Sequence, residues 1–413
     1  MRAMPDVTLK ITELGAQGDG VAEHDGRKVF VPLALPGETV RAELAGDRAR
    51  VTEIVEAAPG RMARRCSHYG DCGGCSLQHM PEADYLEFKR RQVVSALSFQ
   101  KIDATVDAVA TIAPRTRRRA AFAAARVGKS VVVGFHGRRS HHIVPIRDCA
   151  VVTPGVLALL PSLDQLAAIA APPKDALTIT VTETATGFDV SMTGVARGFS
   201  ADARVKLAQL AGGLGIARLS INGEVALERA APVIRAGAAH LTPPPGGFLQ
   251  ACEPSAAAML KLVQEAVGDA RRVVDLFSGS GTFSLPIAST ATVHAVEGEE
   301  SALAALDRAA RRATGLKPVT TEKRDLFRRP LTKDELKRFD AAVIDPPRAG
   351  AEAQTRQLAR ASLKRVAMVS CNAGTFARDL RLMIDGGWRV KRITPIDQFI
   401  WSPHIEIVAS LSR

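Results

Sequence analysis

Apolar and polar positions alternate differently in three regions of the chain. Over residues 7–56, short alternating runs lie between closely spaced glycines, a pattern typical of a small β-barrel. The strands expected there are Val7–Ile11, Lys28–Val31, Thr39–Leu44 and Arg50–Val55. From about residue 240 onward, strand-like runs alternate with helical runs, which predicts a doubly wound parallel sheet. The predicted fold class is therefore α/β, with a separate barrel at the front.

The middle region, from about residue 60 to 235, has a mixed pattern. It predicts a polar helix near Glu82–Ser98 and an α+β segment with strands at Ser130–Phe135, Leu177–Thr182 and Phe188–Met192. The clearest linker is the proline- and glycine-rich stretch 243–247. We therefore expect three domains, at residues 1–58, 59–240 and 241–413.

The net charge suggests what kind of partner the chain binds. With 413 residues, a net charge of +12 and a pI of about 9.7, the chain favours a polyanion, nucleic acid before a membrane surface. The longest stretch without an acidic or basic residue, 276–296, contains two glycines and a proline, so we expect no membrane span. The first ten residues have no apolar core of a signal peptide, so we expect a cytoplasmic protein. No obligate protein partner is evident.

Residues 273–283 combine a strand with a glycine-rich turn. Gly279 and Gly281 let the backbone approach a ligand, and Glu297 ends the next strand, where a carboxylate can accept both ribose hydroxyls of an adenosine. Ser284 stands where a dinucleotide fingerprint has its third glycine, so NAD is disfavoured. The turn resembles motif I of class I methyltransferases, which bind S-adenosylmethionine. The alternative is a structural turn without a ligand.

Three reactive side chains follow later strands of the predicted sheet. Asp345 begins an Asp-Pro-Pro-Arg loop, Cys371 follows an apolar strand, and Glu406 precedes a wholly apolar Ile-Val-Ala run. Residues just past strand ends line the site of such sheets, so Cys371 is a candidate nucleophile and Glu406 a candidate base. Arg348 stands where amine methyltransferases carry an aromatic residue. A buried structural cysteine and an edge-strand surface glutamate are the alternatives.

Taken together, these motifs resemble the RNA uracil-5-methyltransferase family. The matching segments, DLFSGSGTF, VEG, DPPRAG, VSCN and HIE, cover roughly residues 245–413, and Phe248-Leu249-Gln250 is similar to that family's F-x-Q segment. The resemblance implies that Cys371 is the nucleophile and Glu406 the base. It also implies a Rossmann-like domain whose S-adenosylmethionine pocket is formed by Gln250, Phe277, Thr282, Glu297, Asp325 and Asp345.

The front of the chain fits the same resemblance. Residues 14–44 are similar to the TRAM domain, an OB-like RNA-binding barrel. The spacing Cys66-x5-Cys72-x2-Cys75, with Cys149 as a distant fourth thiol, resembles the [4Fe–4S] site of the ribosomal-RNA branch. A four-cysteine zinc site is the rival, because zinc also accepts four thiolates. The cysteines favour 23S ribosomal RNA as the substrate, with transfer RNA second.

Two arginine runs are candidates for contacts with RNA phosphates, because aromatic residues are only 4% of the chain and stacking platforms are therefore scarce. These runs are 115–119 and 138–139. The chain departs from the resemblance at Ala373, where a proline is common and whose absence could loosen the nucleophile loop. It also departs at Cys252, a thiol to which we assign no role. The rival functions are methylation of an amine or of cytosine, and an RNA-binding iron–sulfur protein without activity.

Overall fold

The computed structural model describes residues 5–413, and its first β-sheet lies in the amino-terminal region. Its strands are β1 Asp6–Lys10, β2 Glu13–Leu14, β3 Gly20–His24, β4 Arg27–Val31, β5 Thr39–Ala45 and β6 Arg48–Glu56, in the order β1-β5-β6-β4-β3-β2. Alternating side chains such as Leu9, Val31 and Val40 are buried in a core of their own. The alternation in the sequence predicted β1, β4, β5 and β6 within two residues at each end, whereas β2 and β3 were not predicted.

Helix α1 spans Glu82–Phe99 and follows the cysteine-containing loop 66–75. Although the helix precedes the central sheet in sequence, its residues Val93 and Leu97 pack into the core of the carboxy-terminal sheet. Lys89 lies on the same face of the helix and has no exposed surface. The helix thus carries residues of the middle region to the last sheet.

The central sheet has seven strands, which are β7 Arg119–Val127, β8 Ser130–His136, β9 Ile143–Pro145, β10 Leu177–Thr184, β11 Gly187–Thr193, β12 Ile216–Ile221 and β13 Glu224–Glu228. Their order is β13-β12-β11-β10-β7-β8-β9, and only β11 and β12 pair in parallel. Helices α2 Pro154–Ala170 and α3 Ala201–Gly212 pack on this sheet around Phe122, Leu163 and Leu207. The hairpin β14 Ile234–Ala236 and β15 Ala239–Leu241 leads into the last region.

The carboxy-terminal sheet alternates strands and helices, as the sequence predicts. Its elements are α4 Glu253–Val267, β16 Arg272–Leu276, α5 Ser284–Ile287, β17 Thr292–Glu297, α6 Glu300–Arg312, β18 Val319–Lys323, α7 Lys333–Leu336, β19 Ala341–Ile344, α8 Glu352–Arg360, β20 Arg365–Ser370, α9 Ala373–Asp385, β21 Arg389–Ile396 and β22 Glu406–Ser412. The strand order is β18-β17-β16-β19-β20-β22-β21, and β22 runs antiparallel to both of its neighbours.

The strand order reverses between β16 and β19, which pair in parallel so that Leu276 lies opposite Ile344. In open sheets of this kind, ligands bind in the crevice outside the carboxyl ends of the strands at such a reversal. The glycine-rich turn after β16 and the Asp-Pro-Pro-Arg loop after β19 therefore face the same crevice. None of the helices within residues 5–413 is long and apolar enough to cross a lipid bilayer.

A buried carboxylate joins the first sheet to the central one. The side chain of Asp19 is 2% exposed and forms ion pairs with Arg48 of its own sheet and with Arg138 and Arg139, which follow β8. The predicted role of Arg138 and Arg139 as free phosphate contacts therefore needs correction. Both guanidinium groups already have an anionic partner, and they hold two sheets together.

Replacing Asp19 by asparagine should destabilise the docking of the first sheet. Because three guanidinium groups lose their carboxylate, we expect the free energy of unfolding to fall by about 1–3 kcal/mol. This loss is smaller than for a fully enclosed ion pair, because the arginines are partly exposed. Urea unfolding monitored by fluorescence and by limited proteolysis near residue 58 measures this loss. Asp47→Asn, a change at an exposed carboxylate in the same sheet, is the matched control. An equal effect of the two changes would contradict the role of Asp19.

Candidate active site

The turn after β16 is shaped by backbone that favours glycine. Gly279 and Gly281 have φ angles of +54° and +94°. Phe277, the first residue after β16, also has a positive φ, of +61°. A Cβ atom on Gly281 would lie 2.9 Å from the Leu306 side chain, whereas a Cβ on Gly279 would meet nothing within 4 Å. Gly281 therefore allows α6 to pack closely against the turn, and Gly279 borders open space that a ligand can fill.

Glu297 ends β17 directly beside this turn. One carboxylate oxygen accepts a hydrogen bond from the amide of Gly279 at 3.0 Å, and the other accepts from Gly298 and Glu299 at 2.7 and 2.9 Å. The backbone thus fixes the carboxylate in position, and the oxygen that accepts from Gly279 keeps lone-pair capacity for another donor. This arrangement suits recognition of a ribose hydroxyl.

Two acidic side chains meet where the strand order reverses. Desolvation raises the pKa of Asp275 to about 7, with a further contribution from Glu297. Desolvation together with the charge of Asp275 also raises the pKa of Asp345 to about 7. One oxygen of Asp275 accepts a bond from the Ser284 hydroxyl at 2.6 Å, and the other is buried without a partner. A cationic ligand in this crevice would favour the ionised form of both groups.

Asp325, another residue of the predicted donor pocket, lies two residues beyond the end of β18. Its carboxylate accepts the backbone amide of Phe327 at 3.0 Å. The rings of Phe327 and Phe277 lie next to each other, with their centroids 5.3 Å apart. Thr282 lies in the turn before α5. Flat apolar rings and a neighbouring carboxylate are suited to an aromatic base that carries an amino group.

Cys371 lies immediately after β20, at the start of the loop into α9. Its thiol is partly buried, and desolvation, reinforced by the charges of Glu406 and Asp345, raises its pKa to about 11, while Arg348 opposes the shift. The side chain of Asn372 caps α9 by accepting the amides of Gly374 and Thr375 at 2.9 and 3.2 Å. This cap holds the nucleophile loop.

The expectation that Ala373 could loosen the nucleophile loop stays a prediction. Proline is favoured at the first position of a helix because its φ is already helical and its missing N–H would be unpaired there. Ala373 occupies that position in α9, and the Asn372 side chain caps the helix there.

Glu406 is the first residue of β22, which lies between β20 and β21 and is not an edge strand. The residue is 5% exposed, and burial together with Asp345 raises its pKa to about 8. The alternative of a surface glutamate on an edge strand is thus excluded by the strand order. The observed strand starts at Glu406 itself, so the carboxylate lies at the first position of β22.

One cavity of about 570 Å³ contains both reactive groups and the cysteine cluster. Cys371 and Glu406 line it together with Arg117, Arg119 and Arg348, and so do Cys66, Cys72, Cys75 and Cys149. The positions of these residues in the sequence give no sign that the cysteine loop and the carboxyl end of the last sheet share a wall. The two sites that the sequence separates are therefore neighbours.

The thiols of the cysteine cluster are close enough to influence one another. Burial and the charges of neighbouring thiols raise the pKa of Cys72, Cys75 and Cys149, that of Cys75 to about 12. No three His, Cys, Asp or Glu side chains within residues 5–413 are arranged to hold a single metal ion. His68 accepts the amide of Arg147 at 2.9 Å, and His79 bonds to a tyrosine hydroxyl.

The first arginine run is partly buried. Arg117 and Arg119 line the cavity, and the guanidinium of Arg117 lies over the ring of Phe399, 5.5 Å from its centroid. The side chain of Arg118 is 13% exposed and pairs with Glu253 at 3.5 Å. Of these three, Arg117 and Arg119 line the cavity, and Arg118 does not.

Gln398 of the cavity wall, and the buried group that anchors its segment, were not predicted from the sequence. Gln398 precedes β22 by eight residues and bonds to both Gln250 and Glu406. Asp397, its neighbour, forms a buried ion pair with Lys89. No local motif marks Gln398. Lys89 does carry a signal, because it lies at four-residue spacing between the buried Tyr85 and Val93 of α1.

The sheet order, the glycine-rich turn after its first strand and the carboxylate that ends its second strand define a class I methyltransferase. The family model for tRNA (Uracil-5-)-methyltransferase matches residues 239–413, and the TRAM domain model matches residues 6–51. An uncharacterized RNA methyltransferase of Rhizobium meliloti is 47% identical over 412 residues, which cover 98% of this chain and 99% of that protein.

Two further comparisons concern proteins with named substrates. The 23S rRNA (uracil(1939)-C(5))-methyltransferase RlmD of Shewanella amazonensis is 31% identical over 98% of this chain and 95% of its own length. The crystal structure of Pyrococcus abyssi tRNA (uracil-54, C5)-methyltransferase with S-adenosyl-L-homocysteine aligns with a TM-score of 0.76 and 22% identity, over 98% of this chain and 99% of that one. This last likeness shows a shared fold. The chain belongs to the family of class I, S-adenosylmethionine-dependent RNA (uracil-5-)-methyltransferases.

The buried carboxyls predict that affinity for S-adenosylmethionine depends on pH. Asp275 and Asp345 are partly protonated at neutral pH, and the donor's sulfonium and ammonium groups favour their ionised forms. Affinity should therefore rise about five- to tenfold from about pH 6 to about pH 7.5, with release of protons on binding. Calorimetry in two buffers of different ionisation enthalpy measures both quantities. An affinity that is constant or falls over this range would contradict the assignment.

Proposed function

We propose that this protein methylates carbon 5 of a uridine in 23S ribosomal RNA, through a covalent bond between Cys371 and carbon 6. The observation that carries the proposal is that Cys371 and Glu406 line one cavity and that the charge of Asp345 acts on both. A nucleophile and a general base are thus within reach of one bound nucleotide beside the donor crevice. S-adenosylmethionine supplies the activated methyl group when it is bound there.

The residues proposed to hold the donor surround the strand reversal. Glu297 accepts the ribose hydroxyls, and Asp325 accepts the amino group of the adenine, next to the ring of Phe277. Gln250 is proposed to lie beside both the donor and the target base. In support, its side-chain oxygen accepts a hydrogen bond from Gln398, which also donates to Glu406. Thr282 and Asp345 complete the pocket.

Cys371 and Glu406 act in sequence on the target base. The Cys371 thiol gives its proton to water, its sulfur bonds to carbon 6, and the electron pair of the double bond between carbons 5 and 6 makes carbon 5 nucleophilic. Carbon 5 then takes the methyl group from the sulfonium of S-adenosylmethionine, which leaves as S-adenosylhomocysteine, and carries both a methyl and a hydrogen. Glu406 removes that hydrogen as a proton, the double bond between carbons 5 and 6 re-forms, and the Cys371 thiolate leaves. A base whose pKa is raised to about 8 is well matched to this proton transfer.

Ribosomal RNA is proposed ahead of transfer RNA. The relative of 31% identity that is named for a 23S rRNA uracil favours it, as does the resemblance of the four cysteines to the ribosomal-RNA branch. Transfer RNA is the second candidate, because the matching family model and the Pyrococcus structure are named for it. We further propose that residues 1–58 and Arg117 contact RNA, that residues 59–240 carry the cluster and that residues 241–413 carry the donor.

We propose a [4Fe–4S] group ahead of zinc for the cysteine cluster. The support is the spacing of Cys66, Cys72 and Cys75 with the distant Cys149, which resembles the ribosomal-RNA branch. All four cysteines line one cavity. We propose that Cys66, Cys72, Cys75 and Cys149 hold this cluster, and that when bound it orders the loop that forms part of the cavity wall.

The proposed activity is tested by incubating the protein with radiolabelled S-adenosylmethionine and unmodified 23S or transfer RNA, and by mapping the labelled nucleoside. Label in 5-methyluridine within 23S RNA is the expected result. Label in 5-methyluridine of transfer RNA alone would move the substrate to the second candidate. Label in 5-methylcytidine or in a methylated amine would contradict the reaction.

Variants of the two reactive residues should fail at different steps. Cys371→Ala should abolish methylation and adduct formation while S-adenosylmethionine still binds. Glu406→Gln should allow attack and methyl transfer but leave the carbon 5 proton in place, so a methylated RNA–protein adduct should accumulate. Denaturing electrophoresis of labelled RNA measures the adduct. Normal turnover by Glu406→Gln would show that another group, with Asp345 the next candidate, is the base.

The cluster proposal has its own test. Protein purified without oxygen should be brown and contain about four irons per chain, with broad absorbance in the visible region. Cys149→Ser should lose most of the iron, whereas Cys252→Ser, a change at a buried thiol outside the cluster, should keep it. One zinc and no iron per chain, measured by elemental analysis, would contradict the proposal.

A further inference from the structure

Gln398 connects the candidate base to the donor side of the cavity. The residue is 2% exposed, and its amide nitrogen donates hydrogen bonds to Glu406 at 3.1 Å and to Gln250 at 3.0 Å. Both bonds are made to side-chain oxygens, which accept, so the amide nitrogen must face them. Since an ionised carboxylate only accepts, the bond to Glu406 favours the ionised form of that residue.

The backbone of Gln398 is itself anchored. The carboxylate of the neighbouring Asp397 pairs with Lys89 and accepts the Tyr85 hydroxyl at 2.6 Å, both from helix α1. The Lys89 ammonium also donates to the carbonyl of Phe399 at 2.9 Å and to that of His404 at 2.6 Å. The segment 397–404 is therefore held at both ends, which fixes the backbone position from which the Gln398 side chain extends.

We propose that Gln398 is a positioning residue for proton abstraction, which holds the Glu406 carboxylate in the orientation that takes the carbon 5 proton. The inference rests on the proposed function, since it assigns Glu406 as the base. Without the amide, the carboxylate loses its one side-chain hydrogen bond in a buried site and turns away from the target. Attack by Cys371 and methyl transfer do not depend on this bond, so elimination is the step that slows.

Several charged groups surround Glu406 and set the background for a pH measurement. Asp345 and Cys371 stand at the ends of the neighbouring strands β19 and β20, and their negative forms oppose ionisation of Glu406. Arg348, Arg117 and His404 line the same cavity. Burial and the charge of Asp345 raise the pKa of Glu406, whereas the hydrogen bond from the Gln398 amide lowers it. Loss of the amide should therefore shift the ionisation of Glu406 to higher pH.

The test compares Gln398→Met with Gln354→Met under otherwise identical conditions. Gln354 is also a fully buried glutamine with two hydrogen bonds, but it bonds to the backbone of Leu331, and it does not line the cavity. Both variants lose a buried amide, so both should lose stability. Only Gln398→Met should lower turnover, by about tenfold or more, because a bond to a charged group is lost. It should also move the pH midpoint of turnover upward and accumulate the methylated RNA adduct.

The outcomes separate this inference from the proposed function. If wild-type protein forms no 5-methyluridine, the proposed function fails before Gln398 is tested. If wild-type is active and Gln398→Met keeps the wild-type pH midpoint without adduct accumulation, the positioning role is wrong. Should Gln398→Met fail to bind S-adenosylmethionine, Gln398→Asn decides by the same two measurements. Its amide is one methylene shorter, so the bond to Glu406, already 3.1 Å long, is lost. The midpoint should therefore rise, and an unchanged midpoint contradicts the role.

Discussion

The buried ion pair between Lys89 and Asp397 is the contact on which the active site depends. The two side chains are 0% and 4% exposed and come from helix α1 and from the end of β21. Removing either charge from water costs several kcal/mol unless its partner is in place, so neither can be buried alone. The segment that delivers Gln398 and leads into Glu406 therefore takes its position only when helix α1 has docked.

The same segment also ties the cysteine cluster to the chemistry. The carbonyl of Trp401 accepts the amides of Ser76 and Leu77, which directly follow Cys75. The cysteine loop, helix α1 and the approach to Glu406 are thus joined by hydrogen bonds. The cysteine loop therefore forms part of the wall of the cavity that Cys371 and Glu406 also line.

Local sequence patterns predicted the features that depend on interactions between nearby residues, such as helix bounds and the residues at strand ends. Helix Glu82–Ser98 was predicted within one residue of Glu82–Phe99, and Glu297, Asp345 and Cys371 stand at strand ends because parallel topology places them there. The burial of Glu406 was undecided, since it depends on β22 inserting between β20 and β21, which no local pattern encodes. Arg138 and Gln398 were misassigned or missed because their partners, Asp19 and Gln250, are more than 100 residues away.

The most direct test of the account uses RNA that carries 5-fluorouridine at the methylated position. Fluorine cannot leave carbon 5 as a cation, so Glu406 has no proton to remove and the methylated adduct should persist. Digestion and mass spectrometry then identify the modified peptide. The account predicts a methylated 5-fluorouridine on Cys371. An adduct on Cys252, or none with an enzyme that methylates ordinary uridine, would contradict the covalent mechanism.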